Sequence, residues 1–225
     1  MLKIEKTEVF GWEAAIRGMR NPMNSWDKSD TDCIVICDNC HGECDEYEGC
    51  DDACIRIGEN DHGLMMKLAK AGSDHAKYRR MINVTCDITA PLYWWKEFDT
   101  YKVGTVANSC STMHKIHAKE FELDDFSHEH MEGTATVLLG DIVDTLNIFR
   151  ERFIDTKNKI HWWQMIQLLP SSYNQKRTVQ LNYEVLVGMH RGRRHHKLDE
   201  WHTFCDWIER LPYSELITNK GETRQ

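Results

Sequence analysis

Residues 81–91, MINVTCDITAP, constrain the fold more than any other stretch of this chain. Ile82, Val84, Cys86 and Ile88 recur at every second position, and a β-strand sends such residues to one face. The stretch is therefore expected as a strand with one buried side. Pro91 then opens the aromatic run LYWWKEF at the position where proline's fixed φ suits a helix start. Elsewhere the apolar period is helical. A short helix carries Ala14, Ala15 and Ile16 and is ended by Asn21-Pro22, and a second carries Leu64, Met65, Leu68 and Ala69 up to Gly72. In the second half, DIVDTLNIFRERFIDTKN, WWQMIQLL, RTVQLNYEVLVGMHRGR and LDEWHTFCDWIERL each show three- and four-residue spacing, the third through Val179, Leu181, Val185, Leu186 and Met189. One strand region followed mostly by helices defines the α+β class.

The 225 residues, 41% hydrophobic and 28% charged, have the profile of one soluble globular domain. A formal net charge of -8 excludes a protein that coats nucleic acid, because phosphate binding needs a basic face. No apolar run reaches the length of a membrane span, and the opening MLKIEKTEVF lacks the apolar stretch of a secretory signal. The expected location is the cytoplasm. Nine cysteines, an odd number without such a signal, read as reduced thiols rather than a disulfide framework.

Several clusters have chemical potential. Six cysteines fall in CIVICDNCHGECDEYEGCDDAC, inside an acidic insertion at about 30–58. The Cys37-x-x-Cys40 pair has the spacing of a zinc half-site, which Cys44, Cys50, Cys54 or His41 would complete. A redox or iron-sulfur centre and unliganded thiols are the other readings. HRGRRHHK, residues 190–197, concentrates positive charge, and its arginines suit a phosphate as well as a solvated helix end. His75 stands at a helix-to-strand junction, where a histidine is a cleft residue or a hydrogen-bonded structural one. Trp94, Trp95, Trp162, Trp163 and Trp201 suit either core packing or stacking on a flat ring. Asn108, Ser109, Cys110, Ser111 and Thr112 crowd short hydrogen-bonding side chains together where a packing helix would carry Ala or Leu.

The order of these pieces resembles the flavin-dependent thymidylate synthases. That family places a histidine before a strand, an Ala-Pro at a helix start, an Arg-His-Arg motif, and then Ser-x-Asn-Glu-x-Ser-x-Arg-Tyr. Here His75 precedes Ala90-Pro91, and VANSCSTMH keeps Asn108 and Ser111 of the serine-rich motif. Farther on, Leu169-Pro170, Asn182 and Arg193 follow at spacings like the family's, and WEAAIRGMR is similar to its opening Ala-Arg segment. The resemblance spans residues 9 to 210 without the cysteine insertion.

This chain departs from the motif at several positions. Thr100-Tyr101-Lys102 or Tyr101-Lys102-Val103 stands for Arg-His-Arg, Ser109 for the glutamate, Met113 for the arginine, His114 for the tyrosine, and Glu184 for an arginine near Asn182. The resemblance implies an α+β domain with a central, mostly antiparallel sheet flanked by helices. It implies methylation of a pyrimidine deoxynucleotide, dUMP to dTMP, with reduced FAD, NADPH and methylenetetrahydrofolate, in a homotetramer. His75, Tyr101, Lys102 and Asn182 would line the FAD site. Asn108, Ser109, Ser111 and Arg193 would face the nucleotide, with Arg193 and Ser111 closest to the chemistry. A nucleotide-modifying flavoenzyme with another substrate or donor, and an inactive metal-stabilised binding module, are the alternatives on the same scaffold.

Overall fold

The computed structural model describes residues 1–33 and 55–219. Strand β1 (Lys3–Phe10) leads into helix α1 (Trp12–Arg20), and a two-residue strand β2 (Asp32–Cys33) pairs antiparallel with β3 (Ile55–Arg56). Helix α2 (Glu59–Lys70), strand β4 (Asn83–Pro91), helix α3 (Leu92–Phe98) and strand β5 (Val106–Ser109) follow. The second half runs α4 (Thr134–Thr156), α5 (Lys159–Leu168), β6 (Asn174–Asn182), α6 (Tyr183–Arg193), α7 (Asp199–Ile208) and α8 (Glu215–Thr218).

Four strands form one antiparallel sheet in the order β1-β4-β6-β5. The direction follows from the cross-strand pairs. Asn83 meets Gln180 while Asp87 meets Thr178, so residue numbers rise along β4 as they fall along β6. Ile82, Val84, Cys86 and Ile88 are all buried, as the two-residue period requires.

The helical reading of residues 177–193 is corrected by the structure. Residues 174–182 are strand β6, with Val179 and Leu181 buried and Thr178 and Gln180 exposed, and the helix begins only at Tyr183. Val179 and Leu181 happen to continue the three- and four-residue spacing of Val185, Leu186 and Met189, so the change of period was hidden. Asn182 makes the switch: its side chain accepts the Val185 N–H and caps the helix.

The chain divides into two compact units, and strands β4 and β6 run from one into the other. In the unit made of residues 1–5, 87–101 and 107–179, helices α4 and α5 pack on each other over Phe121, Phe126, Leu139, Val143, Leu146 and Met165. Trp94 and Trp95 are buried there too, and the Trp95 indole donates to the Gln175 carbonyl at 2.9 Å. In the other unit, α6 packs against α7 and α8. Its core sets Trp12 edge-on to Tyr183 and buries Trp201 completely. Trp94, Trp95 and Trp201 are thus core residues. Among the described residues, no helix is long and apolar enough to cross a membrane.

Asp61 ties the base of the insertion to this second unit. Its buried carboxylate accepts from Arg20 Nε at 2.6 Å, Ser29 Oγ at 2.7 Å and Thr31 Oγ1 at 2.7 Å, and from the backbone N–H groups of Asp30 and Thr31. Asp30 answers by accepting from the backbone of Asn60 and Asp61. Burial pushes the Asp61 carboxyl up, but the hydrogen bonds from Thr31, Ser29 and Arg20 outweigh it and hold the group below its ordinary value. A carboxyl lowered in this way stabilises the fold above the unfolded value, near about pH 4, and its contribution is lost as pH falls through the folded value. Replacing Asp61 with Ala leaves Arg20 buried without its counter-charge. The expected loss is about 3 kcal/mol by chemical denaturation, and Asp61→Asn is expected to flatten the stability profile in the acid range.

Candidate functional site

The polar cluster at 108–112 begins on an edge strand. All four residues of β5 are exposed, including Asn108 and Ser109. Just past the strand, the Cys110 N–H donates to the Lys176 carbonyl at 2.9 Å, and Gln175 Nε2 donates to the Cys110 carbonyl at 2.8 Å. The backbone there is clamped to β6. Ser111 Oγ accepts the N–H groups of Met113 at 3.3 Å and His114 at 2.8 Å, which closes the following turn. With both acceptor positions used, the Ser111 hydroxyl keeps its proton to donate. The turn is held further by the Trp162 indole, which donates to the Met113 carbonyl.

Asn182 and the loop before β5 meet in the other unit. Gly104 has φ 78°, a left-handed conformation that favours glycine. A Cβ there would lie 2.8 Å from Asn182 Nδ2 and 2.9 Å from a methyl of Val185, so the backbone runs directly against the first turn of α6. Lys102 and Val103 are exposed on the same loop, Val103 at 89%. Tyr101 is half-buried at its start. The stretches 91–111 and 169–193 therefore meet twice, by backbone pairing at Cys110–Lys176 in one unit and where the loop at Gly104 lies against Asn182 in the other.

The remaining nominated residues are spread out. His75 is exposed in the turn after α2, its N–H bonded to the Gly72 carbonyl. Arg193 sits at the end of α6 with its guanidinium carbon 4.8 Å from the Trp201 ring centre, a cation–π contact. Ser111 belongs to one unit and Arg193 to the other. The proposed zinc ligands Cys37, Cys40, Cys44, Cys50 and Cys54 lie outside the described residues. Among those described, no group of three or more His, Cys, Asp or Glu is placed to hold a metal.

Two cavities and one buried ion pair emerge only with the tertiary fold. A cavity of about 400 Å³ opens beside Ile16, Arg17 and Trp26, and a smaller one of about 330 Å³ lies between Arg194, His195, His202 and Asp206. The smaller cavity takes in Arg194 and His195 of the basic run at 190–197, whereas the larger is lined by no residue nominated for a ligand. Arg79, only 2% exposed, faces Glu184 in the first turn of α6 with Nη1 3.7 Å from Oε2. The two are far apart along the chain, and no local pattern joins them.

No protein-family model matches the sequence, nor does any curated protein. The fold does have relatives among solved structures: it is that of the flavin-dependent thymidylate synthases. A crystal structure of the flavin-dependent thymidylate synthase ThyX from Helicobacter pylori, complexed with FAD and dUMP, superposes with a TM-score of 0.65 at 14% identity, over 96% of this chain and 98% of that one. A second crystal structure of ThyX from the same organism with FAD and dUMP gives 0.65 and 14% over 97% and 98%.

The loop at Gly104 is the tightest local requirement of this region. Gly104→Ala forces a left-handed alanine and a methyl against Asn182 and Val185. It is expected to cost about 2 kcal/mol, read as a drop in thermal midpoint, while an alanine at the open Gly140 position is tolerated.

Proposed function

We propose that the chain, acting as one domain of the thymidylate synthase type, binds FAD and a pyrimidine deoxynucleotide and methylates the nucleotide in the dUMP-to-dTMP manner. The observation that carries this reading is the extent of the fold match, which runs over nearly the whole of both chains rather than over a shared fragment. The residues fit a flavin nucleotide in one respect: a loop bearing Lys102 lies against a helix start, and a helix start with a nearby cation suits a phosphate. Lys102, Tyr101, His75 and Asn182 would hold FAD. Bound and reduced, the flavin supplies hydride, with NADPH as reductant and methylenetetrahydrofolate as one-carbon donor.

The chain's own residues would bind and orient the nucleotide. Arg193, held over the Trp201 ring, would stabilise negative charge that develops on the pyrimidine oxygens. Ser111, whose oxygen is occupied by two N–H groups, would donate a hydrogen bond rather than attack. Asn108 and Ser109 would complete the nucleotide contacts from β5. The reading also takes the protein as cytoplasmic, and Cys37 and Cys40, completed from among Cys44, Cys50 and Cys54, as ligands of a structural zinc. Thr100, or Tyr101 and Val103 in the other register, together with Ser109 and Met113, stand where the resembled motif carries charged residues, and they favour a second reading, a nucleotide-modifying flavoenzyme with another substrate or donor. A binding module without catalysis is the third.

Purified protein mixed with FAD and desalted is expected to retain the flavin's visible absorbance and to bind dUMP. Arg193→Ala should weaken dUMP by about 2 kcal/mol, about thirtyfold; unchanged affinity would remove Arg193 from the site. A colourless protein that carries stoichiometric zinc would point to the module instead.

A homotetramer is part of this proposal. Exposed apolar side chains gather on the α4–α5 pair, with Val137, Leu138 and Ile148 on α4 and Ile160 and Trp163 on α5. Trp163→Asp is expected to shift the sedimentation profile toward smaller species; an unshifted tetramer would put the interface elsewhere.

A further inference from the structure

We infer that Arg79 is a positioning residue for the flavin contacts: facing Glu184, it sets the pose of the first turn of α6 and, through Gly104, of the loop that carries Lys102. This rests on the flavin reading above for its consequence, but not for its geometry. Arg79 lies in a short turn of helix, Lys77–Arg80, just before β4, and is buried. Its Nη2 donates to Asn219 Oδ1 at 3.0 Å, and Nη1 stands 3.7 Å from Glu184 Oε2. Both the Arg79 Nε and the Glu184 Oε2 are buried without a hydrogen-bond partner among the described residues.

A buried ion pair left partly unsatisfied is a poor stabiliser, since desolvation offsets most of the attraction. Its strength is direction. Glu184 follows the capping Asn182 by two residues and precedes Val185 by one, the two residues that touch Gly104. The first turn is also tied by the Tyr183 N–H to the Ile82 carbonyl at 3.0 Å. With no room for even a methyl group between Gly104 and Asn182 or Val185, a rotation of this turn toward the loop must displace it. There is a charge consequence as well. A lone carboxylate in the first turn of α6 would oppose a phosphate held there, and the Arg79 guanidinium offsets it.

The pair also explains one departure from the resembled motif. Glu184 stands where that motif has an arginine, and an arginine at 184 would meet Arg79 as a like charge. The two positions therefore act as one unit in this chain.

The test uses the full chain. In Arg79→Gln, hydrogen exchange of residues 101–106 and 182–186 in the apo protein is expected to speed up about tenfold, with α4 and α5 unchanged, and FAD affinity to fall about tenfold. The exchanged pair Arg79→Glu with Glu184→Arg should restore both. Unchanged exchange at 101–106 would overturn the inference, as would a uniform loss of protection that the exchanged pair does not restore. If the wild type takes up no FAD, the flavin reading fails while the exchange measurement still decides the role of Arg79. Should Arg79→Gln not fold, Glu184→Gln removes the other half of the pair and carries the same readouts.

Discussion

The antiparallel pairing of β6 is the constraint on which the rest depends. This strand is bonded to β4 on one side and β5 on the other. Its two buried apolar residues, Val179 and Leu181, fix which face is inward, and a shift by one residue would turn both to solvent. Because β6 ends at Asn182 and α6 starts at the next residue, the register of the strand also sets where the helix begins. Tyr183 locks that start twice, through its N–H to Ile82 and through its hydroxyl to the Pro212 carbonyl. Strand pairing thus positions the helix start, and the helix start positions the loop at Gly104.

The sequence made the helices and β4 legible, and the other strands of the sheet largely illegible, for physical reasons. Helices α1, α2, α4, α5 and α7 carry apolar stripes that only a 3.6-residue period explains. Strand β4 is buried enough for its alternation to stand out. Strand β1, KIEKTEVF, is mostly polar and half-exposed, with a left-handed kink at Lys6, so it shows little alternation. Strand β5 is exposed throughout, and β6 passes into a helix whose apolar spacing continues its own.

Site residues were legible to the extent that a short motif could mark them. Asn182 and Ser111 do have defined local roles, a helix cap and a turn closure, and those roles account for the residue types without any ligand. What the motif could not reveal were partners distant in sequence: Trp201 beneath Arg193, Arg79 opposite Glu184, and Gly104 against Asn182. Each needs the tertiary fold before the residues become neighbours.

The charge inventory narrows how the proposed site would recognise phosphate. In an acidic chain the arginines would be the first candidates, yet several are engaged internally. Arg20 is bound to Asp61, Arg177 pairs with Asp99 and lies 4.1 Å over Trp95, and Arg194 pairs with Asp206. Arg79 is buried against Glu184. An arginine holds phosphate by a planar fork that demands a fixed geometry, whereas lysine acts as a mobile point charge. A site that relies on Lys102 beside a capped helix start would gain less from side-chain geometry and more from the backbone. In such a site the pose of the first turn of α6 matters more than the identity of any one cation.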